Sequence, residues 1–317
     1  MLKNDLVSLI VPFYNSEDYI ERLLQSVLKQ SYKKIQFILV NDGSTDRSEE
    51  IVLEYKKKLD NYLYEFIYLT QKNGGAASAV NNALKYVDGE FLTWADSDDE
   101  LNVKNIEKKH LFLQKNNEYG YVMSKAIEIN QETGKINGVL EISEKKKKDN
   151  MFLEIIDGIP VYAGVFMIRT ELLFNRLHNR NIYFNREVGQ NYQLLLPVAY
   201  DNKCGFIDEI LYTCYMRKTS HSHNVTYEKA YDRIYQRELL LDNVLEFMPK
   251  EEKKVLIESI ENKSNHKRFE LSFAHNDLVN NNLSYSKLKK QNITSKEKIK
   301  HMIINHVFLN KLYRKIK

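Results

Sequence analysis

Residues 90–99 read EFLTWADSDD, so that an apolar strand runs directly into three carboxylates within four positions. Folding alone does not require this pattern, because carboxylates this close repel one another and are costly at the end of a buried strand unless a cation compensates them. The Asp-x-Asp spacing of Asp96 and Asp98 supplies hard oxygen ligands that suit Mg²⁺ or Mn²⁺, and such ions usually also hold the phosphates of a substrate. The stretch therefore predicts a strand that ends at a site for a divalent metal.

The first hundred residues alternate short apolar runs with helical patterns. The runs begin near Leu6, Ile35, Tyr64 and Phe91, and amphipathic segments separate them. Short apolar strands that alternate with helices predict an α/β fold with a mostly parallel central sheet and helices on both faces. In such sheets the ligand binds beyond the carboxyl ends of the strands, so the turns there are expected to carry the function.

These turns are polar. The turn after the second predicted strand reads NDGSTD at residues 41–46, and a helix N-cap explains its glycine and serine but leaves Asp42 unexplained. The turn after the third strand contains Gly74 and Gly75. This pair suits either a flexible turn or a close approach of the backbone to a ligand, with the next helix N-terminus available to an anion.

The composition sets further limits. The chain has 317 residues, of which 28% are charged and 43% hydrophobic, as is typical of a soluble globular protein with one large domain and an appendage, or with two domains. No apolar run approaches the length of a membrane span and the N-terminus shows no secretory pattern, so a cytoplasmic location is expected. Cys204 and Cys214 are expected to be buried thiols. No nucleic-acid motif accompanies the basic residues, and no nucleic-acid partner is expected.

Two other classes of site fit the sequence less well. An EF-hand would use Asp96, Asp98, Glu100 and Glu107, but its sixth position is Leu101 rather than the required glycine. A dinucleotide-binding oxidoreductase would need a G-x-G-x-x-G turn after the first strand, which instead ends in Pro-Phe-Tyr-Asn. Both classes are therefore disfavoured.

The chain resembles a family 2 glycosyltransferase of the GT-A fold, of the non-processive bacterial type. The motifs that carry the resemblance occur in the family's order: VSLIVPFYN at 7–15, VNDGSTD at 40–46, the segment 73–81 and DSDD at 96–99. Weaker similarity continues through 164–168, 189–199 and 215–222. The resemblance implies a GT-A domain over 1–225, with a nucleotide-sugar half at 1–100 and an acceptor half at 101–225, followed by a helical, basic region at 226–317.

The resemblance also implies roles for individual residues. The residues expected to bind the nucleotide-sugar are Pro12, Tyr14, Asp42, Asn73, Gly74, Asp96 and Arg217. Among them Asp42 would hydrogen-bond the base, uracil in many members, and Asp96 would contact the ribose. Asp98 would coordinate a Mn²⁺ or Mg²⁺ ion that bridges the diphosphate, and His221 is a second candidate ligand of the metal or phosphate.

One departure from the family concerns the general base. Members usually carry a Glu-Asp pair at the start of a helix in the acceptor half, whose Asp takes the proton from the acceptor hydroxyl, whereas residues 190–191 are Gln-Asn here. An amide cannot act as a general base, and loss of one typically removes about 10²–10⁴ in rate. Asn191 stands at the place of the base, and Glu187, Asp99 or His221 could take the proton instead. Alternatively, the chain is a catalytically weak or inactive nucleotide-sugar-binding partner subunit.

The expected function is metal-dependent, inverting transfer of a single sugar from a nucleotide-sugar, with a UDP-sugar preferred, to a surface polysaccharide or other glycan, including a lipid-linked glycan. From Lys287 onward the sequence contains ten Lys or Arg residues and one acid, Glu297. A basic amphipathic helix of this kind either lies on an anionic membrane, here the inner face of the cytoplasmic membrane, or packs on its own domain. Both interpretations remain open at the level of sequence.

Overall fold

The computed structural model describes residues 2–184, 189–217, 226–288 and 292–316. The chain folds as two compact units, residues 1–220 and 221–317. The domain boundary predicted after residue 225 borders the stretch 218–225, which lies outside the described residues. The position of this boundary stays a prediction.

The first unit is built on one sheet. Its strands are β1 Lys3–Phe13, β2 Ile35–Asn41, β3 Glu65–Thr70, β4 Gly89–Trp94, β5 Glu100–Leu101, β6 Tyr119–Asn130, β7 Ile136–Leu140, β8 Phe166–Arg169 and β9 Lys203–Met216. The order is β3-β2-β1-β4-β8-β6-β9-β5, and β7 pairs with β6. Pairs among β1 to β4 are parallel, whereas β8 is antiparallel to both β4 and β6. The predicted mostly parallel α/β sheet is confirmed.

Helices flank this sheet. They are α1 Ile20–Leu28, α2 Ser48–Tyr62, α3 Ala76–Leu84, α4 Asn105–Lys115, α5 Phe152–Ile156, α6 Thr170–Phe174 and α7 Asn191–Ala199. Every residue of β2 is buried, which explains why this strand reads as a continuous apolar run. Cys204 and Cys214 are buried free thiols, as predicted.

The strand register places the predicted functional turns at one edge. Phe13 pairs with Asn41, and Asn41 pairs with Thr70, so β1, β2 and β3 end level with one another. Strand β9 runs parallel to β6 and then pairs antiparallel with β5, opposite Glu100 and Leu101. The end of β9 thereby returns to the residues that follow the aspartate cluster.

The second unit is helical, in agreement with the predicted C-terminal extension. Its helices are α8 Tyr227–Val244, α9 Lys250–His275, α10 Leu278–Lys287, α11 Ser295–Asn305 and α12 Val307–Ile316. Arg268 on α9 makes a two-pronged ion pair with Glu238 on α8, and the Asn281 side chain on α10 donates to the Phe269 carbonyl at 3.0 Å. In the part of the chain that the structure describes, no helix is long and apolar enough to cross a membrane.

Candidate functional site

The turns after β1, β2 and β4 are joined by hydrogen bonds. The Thr45 amide donates to Asn15 Oδ1 at 2.8 Å, and the Ser16 amide donates to Ser48 Oγ at 2.7 Å. The Ser16 hydroxyl lies 2.9 Å from the hydroxyl of Ser97, inside the aspartate cluster. The structure therefore brings these three predicted turns into a single site.

Asp42 joins the turn after β2 to the turn after β3. Its Oδ1 accepts from Gln71 Nε2 at 2.8 Å and from the Gly74 amide at 2.9 Å, and its Oδ2 accepts from the Gly75 amide at 2.7 Å. The carboxylate is 3% exposed. Since a carboxylate oxygen can accept two donors, Oδ2 retains capacity for a further one. The role of Gln71 was missed by sequence reasoning, and the contact of Asp42 with a base stays a prediction.

These two turns approach so closely that Gly43 has no room for a side chain. Its φ is +75°, and a Cβ there would lie 2.8 Å from the backbone nitrogen of Asn73. The same edge carries Pro12, which is half-buried, and Tyr14, whose side chain is 48% exposed. The residues predicted to bind a nucleotide from the first three turns thus share one edge of the sheet.

The three aspartates of the cluster have different surroundings. The Asp96 amide donates to the Tyr212 hydroxyl oxygen at 3.1 Å. Asp99 is buried, and its carboxylate accepts from the Tyr215 amide at 2.9 Å and from the Tyr212 hydroxyl. Asp98 forms an ion pair with Arg217, and its side chain is 25% exposed. Asp98 is therefore the member that combines a cationic partner with access to solvent.

Burial governs the ionisation of the other two aspartates. Desolvation is the main cause that raises the pKa of Asp96 to about 7, and the negative charge of Asp98 is the second cause. Burial is also the main cause that raises the pKa of Asp99 well above its ordinary value, and the negative charges of Asp96 and Asp98 add to it. Both carboxyl groups therefore favour the neutral form more than an exposed aspartate does. A catalytic role for Asp99 stays a prediction.

Two guanidinium groups lie at the cluster. Arg217 pairs with the Asp98 carboxylate and lies 4.2 Å from the ring centre of Tyr19. Arg22, on α1, donates to the backbone carbonyl of Asp98 and lies 3.6 Å from the ring centre of Tyr215. The Nε atom of each arginine is buried without a hydrogen-bond partner in the described structure. Planar cations with unused donors suit phosphate oxygens, and Arg22 was missed by sequence reasoning.

The donor set fits a metal that arrives with its substrate. No group of three His, Cys, Asp or Glu side chains among the described residues could form a metal cage. Mg²⁺ is usually held by one or two carboxylates together with substrate phosphates and water, and Asp98 can supply such a ligand. His221 and Glu187, the other predicted participants, lie outside the described residues.

Asn191, at the predicted place of the base, is the first residue of α7. Its Oδ1 accepts from Trp94 Nε1 at 2.8 Å, and its Nδ2 donates to the Val161 carbonyl at 3.0 Å. Both ends of the amide are thus engaged. The preceding residue, Gln190, is buried.

Tyr212 reaches the cluster because Gly164 makes room for its ring. Gly164 has a φ of +70°, and a Cβ there would lie 1.9 Å from a ring atom of Tyr212. The Gly164 carbonyl accepts from Asn105 Nδ2 at 3.1 Å and from the fully buried Lys109. Burial holds the pKa of Lys109 well below its ordinary value. These contacts fix the segment beside the aspartates, and no local sequence pattern marked Tyr212.

A cavity of about 560 Å³ lies between β7 and the segment that follows α5. Its lining includes Val139, Glu141, Ile159 and Tyr162. The segment that contributes Ile159 and Tyr162 continues to Gly164, which packs against Tyr212. Residues 159–164 therefore run from the cavity to the ring of Tyr212, which contacts the aspartate cluster.

Comparison with known proteins identifies related sequences. The sequence model of the family described as "Glycosyl transferase family 2" matches residues 8–175. "Glycosyltransferase GlyA" of Streptococcus pneumoniae serotype 4 is 39% identical over 107 residues, which cover 34% of this chain and 15% of that protein. "Minor teichoic acid biosynthesis protein GgaB" of Bacillus subtilis is 28% identical over 254 residues, 78% of this chain and 27% of that protein. The chain thus spans under a third of either relative.

Solved structures share the fold. S. aureus TarS 1–349 in complex with UDP-GlcNAc superposes with a TM-score of 0.62 at 23% identity, covering 94% of this chain and 79% of that one. The mannosyltransferase PcManGT from Pyrobaculum calidifontis, in complex with GDP-Man and Mn²⁺, gives 0.52 at 15% identity, covering 96% and 86%. At these identities the likeness shows the fold alone.

Proposed function

This chain belongs to glycosyl transferase family 2, and from that premise we propose that it transfers a single sugar from a nucleotide-sugar to a glycan acceptor. The observation that carries the proposal is the aspartate cluster at the carboxyl edge of the sheet, where Asp98 faces Arg217 and Arg22. A carboxylate ligand beside two guanidinium groups suits a diphosphate with a bound divalent cation. Departure of a nucleoside diphosphate requires this kind of charge compensation.

We assign the donor-side roles from these positions. Asp98 would hold Mn²⁺ or Mg²⁺, which neutralises charge on the leaving diphosphate when bound. Arg217 is kept at the cluster by Asp98 and can exchange this partner for a phosphate oxygen. Asp42 fixes the turn at Gly74, against which the nucleotide would lie. A UDP-sugar is the proposed donor, a choice supported by the UDP-GlcNAc complex of TarS.

The acceptor is proposed to be a surface polysaccharide or another glycan, including a lipid-linked one. The name of the GgaB relative refers to teichoic acid biosynthesis, which supports an acceptor of this class. The cavity beside Tyr162, whose lining combines apolar side chains with the carboxyl groups of Glu141 and Glu154, supports an acceptor site in this half of the domain. Inversion at the anomeric carbon is proposed on the same family grounds.

An assay of donor cleavage tests the proposal. Purified protein with Mn²⁺ or Mg²⁺ is mixed with a panel of UDP-, GDP- and other nucleotide-sugars, with and without glycans, and free nucleoside diphosphate is measured. We expect release that a chelator abolishes and added Mn²⁺ restores, together with linkage of the sugar to the acceptor.

Two negative results have different meanings. Binding of a nucleotide-sugar without release under any condition would support the alternative of an inactive partner subunit. Failure to bind any nucleotide-sugar, measured by calorimetry, would contradict the proposal as a whole.

The second unit suggests a peripheral membrane contact. On α11 and α12 four lysines are exposed, namely Lys296, Lys298, Lys311 and Lys315. Exposed apolar side chains lie on the same helices at Ile299, Met302, Val307 and Leu312. The one acid of the tail, Glu297, is buried and pairs with His266, so it does not offset this surface charge. We propose that the basic and apolar surface of α11 and α12 contacts an anionic membrane.

Reversal of these four lysines to glutamate is expected to weaken vesicle binding. Each basic residue near an anionic surface contributes about 1 kcal/mol, so we expect a loss of about 100-fold or more. Binding is measured by co-sedimentation with phosphatidylglycerol-containing vesicles, with pure phosphatidylcholine as reference. The matched control reverses four exposed lysines of the first unit, Lys57, Lys85, Lys104 and Lys115. Equal binding by the two variants would exclude α11 and α12 as the site of membrane contact.

A further inference from the structure

The Asn191 side chain connects two segments of the first unit. Its Oδ1 accepts from the Trp94 indole at 2.8 Å, and its Nδ2 donates to the Val161 carbonyl at 3.0 Å. Trp94 is the last residue of β4 and stands two positions before Asp96, while Val161 begins the segment that contributes Tyr162 to the cavity. The amide therefore links the strand that carries the aspartate cluster to the wall of the cavity.

A second hydrogen bond joins the same two segments. The Gly164 amide donates to the Trp94 carbonyl at 2.5 Å, and the Trp94 ring stacks on Phe166 with an interplanar angle of 11°. Trp94 is 1% exposed, so an unpaired indole N–H would be costly there. Asn191 thus supplies the indole with its acceptor and completes a two-bond connection across residues 161–164.

Only an amide or a neutral acid provides this pair of bonds. An amide has a carbonyl that accepts and an NH₂ that donates, whereas an ionised carboxylate accepts only. An Asp at this position would satisfy Trp94 but would place a negative charge against the Val161 carbonyl. A Leu would leave both groups without a partner.

We propose that Asn191 is a positioning residue that holds the segment 161–164, which contributes Tyr162 to the cavity wall, against the aspartate cluster. The amide is then required at this position, and is not the remnant of a lost general base. This role rests on the proposed transferase function. Asn191 would shape the acceptor side of the site, and another group would take the proton from the acceptor.

The variant Asn191→Asp separates the two roles by the sign of its pH dependence. If the position were a disabled base, a carboxylate would raise nucleoside diphosphate release, and the gain would grow as pH rises. If it positions the wall, release at neutral pH falls by about ten- to a hundredfold because the reacting groups are displaced. The defect shrinks as pH falls, because a protonated carboxyl accepts and donates as the amide does.

The stability of Asn191→Asp should change with pH in the same direction as its activity. Since the fold favours the neutral acid, the pKa of the introduced carboxyl is raised above the unfolded value of about 3.9. The contribution of the protonated carboxyl to the free energy of unfolding is complete below the unfolded pKa. It is lost as pH rises through the raised pKa of the folded state. Thermal midpoints of the variant and of wild type are compared at each pH between about 5 and 8, so that the titration of neighbouring Asp96 cancels.

A fluorescence measurement keeps the test independent of activity. Trp94 is the single tryptophan of the chain, so its emission reports on the charge of the group that accepts the indole hydrogen bond. We expect Asn191→Asp to shift this emission at neutral pH and to return toward the wild-type spectrum at acid pH. If wild type releases no nucleoside diphosphate with any donor, the proposed function fails while this readout still decides the role of Asn191.

Three further variants complete the experiment. Asn150 is exposed and also uses both ends of its amide, accepting from the Phe152 amide at 2.9 Å and donating to the Tyr200 carbonyl at 2.9 Å. Asn150→Asp should change neither emission nor release. Trp94→Phe and Asn191→Leu together should lower the free energy of unfolding by less than the sum of the two single losses, because both remove the hydrogen bond between Trp94 and Asn191. Wild-type or higher release by Asn191→Asp at neutral pH, with unchanged emission, would overturn the proposal.

Discussion

Replacement of Asp98 by asparagine is expected to lower nucleoside diphosphate release by about 10³-fold. Asp98 combines a solvent-accessible carboxylate with the Arg217 ion pair at the carboxyl edge of the sheet. An amide oxygen carries no net charge and binds a divalent cation more weakly, so the leaving diphosphate loses its compensation. Loss of a single electrostatic stabiliser typically costs about 10²–10³ in kcat, and loss of the metal adds to this.

The Asp98→Asn experiment needs a structural control. The Asp98–Arg217 pair is partly exposed, so its loss should change the free energy of unfolding by about 1 kcal/mol or less. Asp88→Asn removes another partly exposed ion pair, with Lys3 at 3.2 Å, and should leave release unchanged. Release is measured across a Mn²⁺ titration for each protein. Wild-type turnover by Asp98→Asn at every Mn²⁺ concentration would show that Asp98 does not hold the metal.

Gly164→Ala is expected to cause the largest loss of stability. The alanine methyl would overlap the ring of Tyr212, 1.9 Å away, and the backbone would hold a φ of +70° that L-residues rarely adopt. Overpacking of this kind typically costs about 1–3 kcal/mol, and the backbone conformation about 1–2 kcal/mol more. Because Tyr212 contacts both Asp96 and Asp99, release of nucleoside diphosphate should fall as well.

Gly134 provides a matched comparison for this substitution. Its φ is +67°, nearly the same as that of Gly164, but a Cβ there meets nothing within 4 Å. Gly134→Ala therefore carries the backbone cost alone, about 1–2 kcal/mol. Denaturant unfolding followed by the emission of Trp94, which lies in the first unit, measures both variants. Equal losses would mean that the Tyr212 contact contributes nothing.

The sequence was sufficient to predict the parallel sheet and the position of the site within it. Apolar periodicity is local information, and parallel strands necessarily bring their carboxyl ends to one edge, so Asp42 and the stretch from Asp96 to Asp99 could be assigned to a common site. The alternation of β1 to β4 with helices leaves little freedom for another topology. The fold of the first hundred residues was therefore predictable in advance.

The contacts that complete the site were not predictable in this way. Arg22 reaches Asp98 across 76 positions, Tyr212 reaches Asp96 across 116, and Trp94 reaches Asn191 across 97. None of these pairs follows from strand or helix periodicity, because each depends on how separate elements pack. For the same reason, the sequence identified residue 191 as unusual but could not show which groups its amide binds.

The return of β9 to the aspartate cluster has a consequence for the order in which the chain is synthesised. Asp99 obtains its hydrogen bond from Tyr215, and Asp98 its ion pair from Arg217. The ribosome makes these partners more than a hundred residues after the aspartates. During translation the first strands can therefore assemble while these two carboxylates still lack their partners. Nascent chains that stall before residue 217 would carry a largely formed nucleotide-binding half with an uncompensated acidic edge.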